Sequence, residues 1–218
     1  MIRAVIYDLD DLMVNSVGLH QKSWDVVLKD FNHNISELPE ELSSSFMGIR
    51  VIDALKKIIK YFKLSVDIDD FNKKRETAFL KLVTDELESM PGLLESLKLF
   101  KDNNFKIALA SSGTGKYIDL VLDKFKIREY FTIIVSGDSV KKGKPDPETY
   151  IVATKKLELK PEECLVLEDA TNGIVSAKKA GCRCVAVFNP YSPPQDHSKA
   201  DMMVKSLNDI SINLIITI

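Results

Sequence analysis

The sequence has few cysteines, no excess of charge of either sign and no long apolar run. Its three cysteines, Cys164, Cys182 and Cys184, form no Cys-x-x-Cys pair, so we expect neither a disulfide framework nor a zinc site. Thirty basic against 32 acidic residues give a net charge of −2, which argues against binding to nucleic-acid backbones. No apolar run reaches the roughly 18 residues of a membrane span, and the N-terminal run is too short for a secretion signal. We therefore expect a cytoplasmic protein that binds neither nucleic acid nor membranes.

The apolar residues gather in five short runs, at 4–7, 107–110, 133–135, 165–167 and 184–188. Each run is continuously apolar, which is typical of strands that are buried on both faces of a sheet. Helix-like stretches lie between the later runs, at 116–125, 145–157 and 173–180. Strands that alternate with helices predict an α/β fold, a Rossmann-like parallel sheet with helices on both faces.

The interval between the first two runs is too long for one connecting helix. It spans about 99 residues, from Asp8 to Ile107. Helical periodicity without a convincing strand covers the stretches 19–31, 51–62 and 71–87. We therefore predict a small α-helical cap domain at 16–87, inserted after the first strand into an α/β catalytic core made of 1–15 and 88–218.

Acidic residues follow two of the predicted strands. Asp8 and Asp10 come after the first strand, and Glu168 and Asp169 come after the fourth. Ligands of open parallel sheets bind outside the carboxyl ends of the strands, so these four carboxylates should lie together. Like charges so close oppose each other's ionisation unless a cation lies between them. Oxygen ligands with room for water and phosphate suit Mg²⁺ better than Ca²⁺, so we predict a Mg²⁺ site formed by these four residues.

Hydroxyl groups, backbone amides and a lysine are expected at the same edge, where they would bind phosphate. Ser111, Ser112 and Gly113 follow the second predicted strand and supply hydroxyl and amide donors. Lys144 precedes Pro145, which we expect at the first position of the next helix, where it would fix the lysine beside the site. We place Ser111 and Lys144 among the catalytic residues, and Ser112 and Gly113 among the substrate-binding ones.

Four segments resemble the four motifs of the haloacid dehalogenase superfamily, in their usual order and each after a predicted strand. They are Asp8-Leu9-Asp10, Ser111, Lys144 and Glu168-Asp169. The resemblance covers essentially the whole chain. The stretches 1–10, 143–147 and 167–174 are most similar to the β-phosphoglucomutase-like branch, whose helical cap is inserted after the first motif.

The resemblance implies phosphoryl transfer through a covalent intermediate. Asp8 would be the nucleophile that forms an aspartyl phosphate, and Asp10 would act first as general acid and then as general base. Asp8, the backbone carbonyl of Asp10 and Asp169 would hold the metal, and Glu168 would support the site. An acid at position 10 favours phosphoryl transfer over dehalogenation, because dehalogenation needs no acid for an alkoxide leaving group.

The first motif departs from the family pattern at three positions. Asp11 stands where the family usually has Gly, a residue that tolerates a positive φ. Asn15 replaces a common Asp, and Val17 replaces a common Glu. These differences affect the loop and the cap hinge rather than the core chemistry. Asp11 and Asp138 also fit a simpler role than the site acids, namely capping a helix or pairing with a surface lysine.

Three cap residues are candidates for binding the substrate: His20, Arg50 and Arg75. The arginines offer bidentate donors for a substrate group, although they could simply belong to a solvated basic face of the cap. The simpler explanation for the histidine is an exposed position on a helix. The stretch 48–53 resembles the Gly-x-Arg-x-x-Asp sequence of hexitol-phosphate and 2-deoxyglucose-6-phosphate phosphatases. Mutases tend to have this arginine one place later, where Val51 stands here.

The preferred hypothesis is a Mg²⁺-dependent phosphatase of small phosphorylated metabolites, with sugar phosphates as the expected substrates. A β-phosphoglucomutase is the nearest alternative. A non-catalytic regulator that binds sugar phosphates is the alternative from another class, and the complete set of Asp8, Asp10, Lys144 and Asp169 argues against it. The expected partner is a small phosphorylated substrate, and we expect a monomer or a weak dimer.

Overall fold

A parallel sheet forms the centre of the protein, whose computed structural model describes residues 1–216 and 218. The strands described are β1 (Ala4–Tyr7), β2 (Val14–Asn15), β3 (Glu88–Ser89), β4 (Lys106–Ala110), β5 (Ile133–Val135), β6 (Cys164–Glu168), β7 (Arg183–Val187) and β8 (Met202–Val204). Six of them form one sheet in the order β5-β4-β1-β6-β7-β8, and each neighbouring pair is parallel. The predicted Rossmann-like architecture is therefore confirmed.

The α-helices connect these strands and form the inserted segment. Those described are α1 (Val17–Leu28), α2 (Glu40–Ser44), α3 (Val51–Phe62), α4 (Ile68–Glu86), α5 (Leu93–Asp102), α6 (Gly115–Phe125), α7 (Glu148–Leu157), α8 (Thr171–Lys179) and α9 (Ile212–Ile216). Across the described residues, we find no helix with both the length and the apolar character that a bilayer crossing requires.

Strand β1 lies at the centre of the sheet, and all four of its residues are buried. Val5 and Tyr7 pack in a hydrophobic cluster with α5 and α6. Ala4 and Ile6 belong to a second cluster with α7 and α8. Because successive side chains of a strand point to opposite faces, helices cover both faces of the sheet, which explains why the run is continuously apolar.

In the sequence, the inserted helices α1 to α4 lie between the two strands of a small antiparallel sheet. Strands β2 and β3 are antiparallel and pair Val14 with Ser89 and Asn15 with Glu88. The chain therefore leaves and re-enters the core at adjacent points. The proposed limits of the cap, between 15 and 16 and between 87 and 88, fall at this two-stranded sheet. The division into two domains stays a prediction. Trp24, Leu55 and Phe71 are among the buried residues of the cap's own hydrophobic cluster.

Several local features differ from the sequence predictions. Strands β2, β3 and β8 and helices α2 and α9 were not predicted, because elements of two to five residues are too short to show a periodicity. The expectation for Pro145 was wrong, since α7 begins at Glu148 with Pro147 at its N-cap. Pro145 therefore lies in the preceding loop, and Lys144 is held by its side-chain contacts rather than by a helix start.

Candidate active site

The carboxyl ends of three neighbouring strands bring the candidate residues together. Strand β1 lies between β4 and β6, and the chain continues from these strands into Asp8, Ser111 and Asp169. Glu168 is the last residue of β6. All four residues are buried. The sheet order therefore places them at one edge, although about 160 residues separate the first from the last.

Lys144 is the cation at the centre of this edge. Its side chain is completely buried, and Nζ donates hydrogen bonds to Asp8 Oδ1 at 2.5 Å and to Glu168 Oε1 at 2.7 Å. A third bond, of 3.2 Å, goes to the Ala110 carbonyl oxygen. Burial would lower the pKa of Lys144, but the two carboxylates more than offset it and raise the pKa above its usual value. The lysine is therefore charged at neutral pH.

Glu168 is fully occupied by hydrogen-bond donors of the protein. Its Oε1 accepts from Lys144 and from the Tyr150 hydroxyl at 2.9 Å. Its Oε2 accepts from the backbone amides of Asp169 and Ala170 at 3.0 and 3.1 Å. Four donors fix the orientation of this carboxylate, which suits a residue that positions Lys144 and the loop after β6.

Asp8, Glu168 and Asp169 form an acidic cluster that a divalent cation would fit, and Asp8 and Asp169 would supply the carboxylate ligands because hydrogen-bond donors of the protein occupy Glu168. One carboxylate oxygen from each lies within 4.8 Å of the others. Asp169 Oδ2 is buried and has no hydrogen-bond partner. Burial raises the pKa of both Asp8 and Asp169 well above the usual range; the neighbouring acids add to this, and Lys144 opposes it. An orphaned buried oxygen among crowded carboxylates is what a hard cation such as Mg²⁺ would satisfy.

The carboxylate of Asp10 lies apart from this cluster, so the prediction that all four acidic side chains lie together was wrong for Asp10, which is bound by a different group of donors. Its Oδ1 accepts hydrogen bonds of 2.7 Å from both the Ser16 hydroxyl and the Tyr117 hydroxyl. His20 Nε2 lies 3.5 Å from the same oxygen. Burial would raise the pKa of Asp10, but these contacts, above all the one with His20, lower it below its usual value. Asp10 is therefore ionised in this arrangement, which is the form that accepts a proton.

His20 and Arg75 are in contact on the cap side, with Arg75 buried and the His20 side chain 25% exposed. Arg75 Nη2 contacts His20 Nδ1, and its guanidinium group lies 4.6 Å from the ring centres of both Trp24 and Phe79. Since arginine can only donate, Nδ1 must accept and Nε2 carries the proton directed at Asp10. Burial lowers the pKa of His20, and Arg75 lowers it further while Asp10 opposes the change. His20 is therefore neutral, with its proton on Nε2.

The residues after β4 bind one another and the cap. The Gly113 amide donates to Ser111 Oγ at 2.9 Å, which leaves the hydroxyl hydrogen of Ser111 free for another acceptor. The Ser112 hydroxyl donates to the Gly48 carbonyl oxygen of the cap at 2.8 Å. A Cβ on Gly113 would lie 2.8 Å from the Tyr117 ring, so glycine is required by this close packing.

Arg50 joins the cap to the loop that carries Lys144. It pairs with Asp53 at 2.9 Å and donates to the carbonyl oxygens of Val140 and Lys141 at 3.3 and 3.2 Å. Its role as a substrate-binding residue stays a prediction, because in this arrangement its donors are used between cap and core.

Asp11 adopts the left-handed conformation that the sequence comparison with the family suggested, with φ of 62°. Its carboxylate accepts from the backbone amides of Ser16 and Val17 at 3.0 and 2.9 Å, at the start of α1. These bonds compensate for the cost of a positive φ in a residue with a side chain. Asp138 caps α6 in the same way, through the Gly115 amide at 2.8 Å. The simpler interpretation of both acids is therefore supported.

Three residues that donate hydroxyls to the site carboxylates were not predicted, namely Ser16, Tyr117 and Tyr150. The two tyrosines lie on helices α6 and α7. In the sequence they are aromatic residues within amphipathic helices, where packing in the core is the usual role. Nothing in the pattern distinguishes a tyrosine that reaches a carboxylate.

A cavity of about 850 Å³ lies between the core and the cap. Asp8, Asp10, Ser112 and Gly113 line its core side, and His20, Arg50 and Arg75 are among the cap residues that line the other. Seven of the nine predicted catalytic and substrate-binding residues thus line one space, and the other two, Ser111 and Lys144, are bonded to Gly113 and Asp8 of its lining. The space is large enough for a small organic ligand.

The fold and this site define an α/β protein with an acidic, lysine-containing centre beneath an inserted helical cap. Residues 5–187 match the family of haloacid dehalogenase-like hydrolases. The chain belongs to this family. The predicted family and the predicted class of enzyme, a hydrolase of this type, are therefore confirmed.

Relatives in this family carry several activities in their names. A bifunctional riboflavin kinase/FMN phosphatase of Arabidopsis thaliana is 30% identical over 95% of this chain, which spans 54% of that longer protein. A phosphorylated carbohydrates phosphatase of Thermotoga maritima is 28% identical, with 83% of this chain and 82% of the relative covered. A β-phosphoglucomutase of Bacillus subtilis is 28% identical, with 98% and 94% covered.

The fold is also shared with solved structures. The crystal structure of CbbY from Rhodobacter sphaeroides in complex with phosphate matches with a TM-score of 0.85. The match covers 96% of each chain at 24% sequence identity, which establishes the common fold.

Proposed function

We propose that the protein is a Mg²⁺-dependent phosphatase that hydrolyses small phosphorylated metabolites through an aspartyl phosphate on Asp8. The observation that carries this proposal is the buried contact between Asp8 and Lys144 at the floor of the cavity. A carboxylate can attack phosphorus only where positive charge offsets the charge on the phosphoryl oxygens. The names of the relatives in Thermotoga and Arabidopsis support a phosphatase.

The proposed metal ligands are Asp8, Asp169 and the backbone carbonyl of Asp10, with Glu168 beside them. When bound there, Mg²⁺ would neutralise charge on the phosphoryl group. Lys144 supplies a second positive charge, and Ser111 offers its free hydroxyl hydrogen to a phosphoryl oxygen.

Two steps follow from the positions of Asp8 and Asp10. In the first, an oxygen of Asp8 bonds to phosphorus, the bond to the leaving alcohol breaks, and Asp10 gives the alcohol a proton. In the second, water attacks the phosphorus while Asp10 accepts a proton, and Asp8 is released. The present surroundings of Asp10 favour its ionised form, so a bound substrate must alter its contacts before the first step.

Replacement of the two aspartates separates their roles. Asp8→Asn should abolish both phosphate release and the phosphorylated protein that an acid quench traps. Asp10→Asn should slow turnover by about 10²–10⁴-fold, the usual contribution of general acid–base catalysis. Asp119→Asn is the control, since that carboxylate is exposed and pairs with Arg128. Near-normal phosphate release by Asp8→Asn would refute the covalent mechanism.

The metal assignment has its own test. We expect chelation by EDTA to abolish phosphate release, added Mg²⁺ to restore it, and Ca²⁺ to support little turnover because its larger shell misplaces the reacting groups. Full turnover in EDTA would contradict the assignment.

The second candidate is a β-phosphoglucomutase, which the Bacillus relative favours. A mutase must shield its aspartyl phosphate from water until the sugar has reoriented. The measurement is paired: phosphate release from hexose phosphates, and conversion of β-glucose 1-phosphate to glucose 6-phosphate with a bisphosphate present. Efficient conversion with negligible phosphate release would favour the mutase. Tight binding of sugar phosphates with neither reaction would favour a regulator.

A further inference from the structure

The loop that follows β7, residues 189–197, is bonded to both chain segments that carry the proposed metal ligands. At its start, Asn189 Nδ2 donates to the Asp11 carbonyl oxygen at 2.8 Å. Near its end, Gln195 Oε1 accepts from the Thr171 amide at 3.0 Å. The 189–197 loop therefore bridges the segment after β1 and the segment after β6.

His197, at the end of this loop, contacts the backbone of a proposed metal ligand. Its Nε2 lies 2.7 Å from the Asp169 carbonyl oxygen. A carbonyl oxygen can only accept, so Nε2 donates the hydrogen. On the other side of the ring, Nδ1 lies 3.3 Å from the sulfur of Met203, a residue of β8. The half-buried imidazole is therefore held between the edge of the sheet and the Asp169 backbone.

The backbone of Asp169 is fixed on both sides. Its amide donates to Glu168 Oε2 at 3.0 Å, and its carbonyl oxygen accepts from His197. Hydrogen bonding at the start of α8 begins one residue later, where the Ala170 carbonyl oxygen accepts from the Ile174 amide at 3.0 Å. The carboxylate oxygen Oδ2 of Asp169, in contrast, is buried without a hydrogen-bond partner. The protein thus orients this residue through its backbone and leaves the oxygen for a cation.

We propose that His197 is a positioning residue of the metal site. Its bond to the Asp169 carbonyl oxygen holds the carboxylate of that residue in the orientation that receives Mg²⁺. This inference rests on the proposed Mg²⁺-dependent function and adds to it a residue from outside the cavity lining. Replacing a group that orients a metal ligand in this way typically weakens metal affinity by about 10–100-fold.

The first test measures Mg²⁺ binding without any reaction. The midpoint of thermal unfolding rises with Mg²⁺ concentration where the folded protein binds the ion, and the dependence on concentration gives the affinity. We expect His197→Leu to weaken this affinity by about 10–100-fold, because Asp169 loses the bond that fixes its carbonyl group. His197→Gln has an amide nitrogen that can donate from the same position, so its affinity should stay within about threefold of the wild-type value.

His33→Leu is the matched control. It makes the same change at a histidine that pairs with Glu37 in the cap and does not line the cavity, so the Mg²⁺ affinity should be unchanged. Wild-type affinity in His197→Leu, or an equal loss in His197→Gln, overturns the inference. If His197→Leu does not fold, Gln195→Met replaces it, because it removes the acceptor of the Thr171 amide in the same loop. Unchanged affinity in that variant would then overturn the inference.

Kinetics separate this inference from the proposed function. With phosphate release from 4-nitrophenyl phosphate as the assay, His197→Leu should need about 10–100-fold more Mg²⁺ for its half-maximal rate, while kcat at saturating Mg²⁺ stays within about twofold. A lower kcat with an unchanged Mg²⁺ requirement would contradict a positioning role. If wild-type protein releases no phosphate but His197→Leu binds Mg²⁺ more weakly, the phosphatase proposal fails and the inference stands. If phosphate is released and the Mg²⁺ affinities are equal, only the inference fails. Wild-type protein that binds no Mg²⁺ overturns both.

Discussion

Lys144→Met tests how the buried charges of the site are balanced. Methionine keeps an unbranched side chain of similar length but removes the charge that contacts Asp8 and Glu168. The side chains of the two acids are 5% and 0% exposed, so water cannot replace the lysine. Removing one partner of a buried ion pair typically costs about 3–5 kcal/mol, and we expect a loss of this size in the free energy of unfolding at pH 7.

The loss should shrink in acid, because the carboxylates can take up protons. Without Lys144 the pKa of Asp8 loses the influence that opposes its rise, so the variant binds protons more readily than the wild type. Protonating a carboxyl group of ordinary pKa costs about 4 kcal/mol at pH 7 but only about 1.5 kcal/mol at pH 5. We therefore expect the destabilisation to be smaller at pH 5 than at pH 7, by at most about 2–3 kcal/mol, because the raised pKa of Asp8 lets the wild type take up a proton as well.

Urea unfolding in EDTA, at pH 7 and at pH 5, measures this difference without a contribution from bound metal. Lys142→Met is the control, since Lys142 lies in the same loop with a side chain that is 75% exposed. A Lys144→Met variant as stable as the wild type at pH 7, or a loss that does not change with pH, would refute this account of the charges.

Two further changes test packing and surface charge. Gly173→Ala should destabilise the protein by about 1–3 kcal/mol and impair activity, because the new Cβ would lie 1.6 Å from Glu168 Oε1. Gly18→Ala is the control and should be neutral or stabilising, because its new Cβ would have no atom within 4 Å. A Gly18→Ala variant that melts at a lower temperature than Gly173→Ala would contradict this reasoning. Asp201→Asn should cost about 1 kcal/mol at neutral pH, because burial is outweighed by Lys178 and the Asp201 pKa lies below its usual value. A carboxyl group with a lowered pKa stabilises the fold above its unfolded pKa and loses this effect as the pH falls through its folded pKa. The stabilities of the variant and the wild type should therefore converge as acid unfolding curves are extended to lower pH.

The sequence alone predicted the parts of the fold that depend on local pattern. Helix α3 was predicted with its observed limits, 51–62, because its apolar residues recur at helical spacing. Strand β1 was predicted because a run of apolar residues ends abruptly at Asp8. The convergence of Asp8, Glu168 and Asp169 followed from the general rule that ligands of parallel sheets bind at the carboxyl ends of the strands, but the rule did not show that the Asp10 carboxylate lies apart.

Other features depend on tertiary contacts that a sequence pattern does not encode. Strand β8 has three residues, one of them Met203, which is 56% exposed, and it exists because β7 offers a free edge. The position of Lys144 comes from its bonds to two acids and not from Pro145. The pairing of Arg75 with His20 joins residues 55 positions apart on two cap helices. Such contacts are consequences of packing.

Asp10 connects the cap to the chemistry of the core. Lys144, Glu168 and Asp8 are bound among core elements, so their arrangement does not depend on where the cap lies. Asp10 instead receives a hydrogen bond from Tyr117 in the core and faces His20 on the first cap helix. Burial raises the pKa of Asp10 and the contact with His20 is the largest influence that lowers it, so the ionisation of Asp10 depends on where that helix lies. The nucleophile Asp8 and Lys144, in contrast, are bonded to each other within the core.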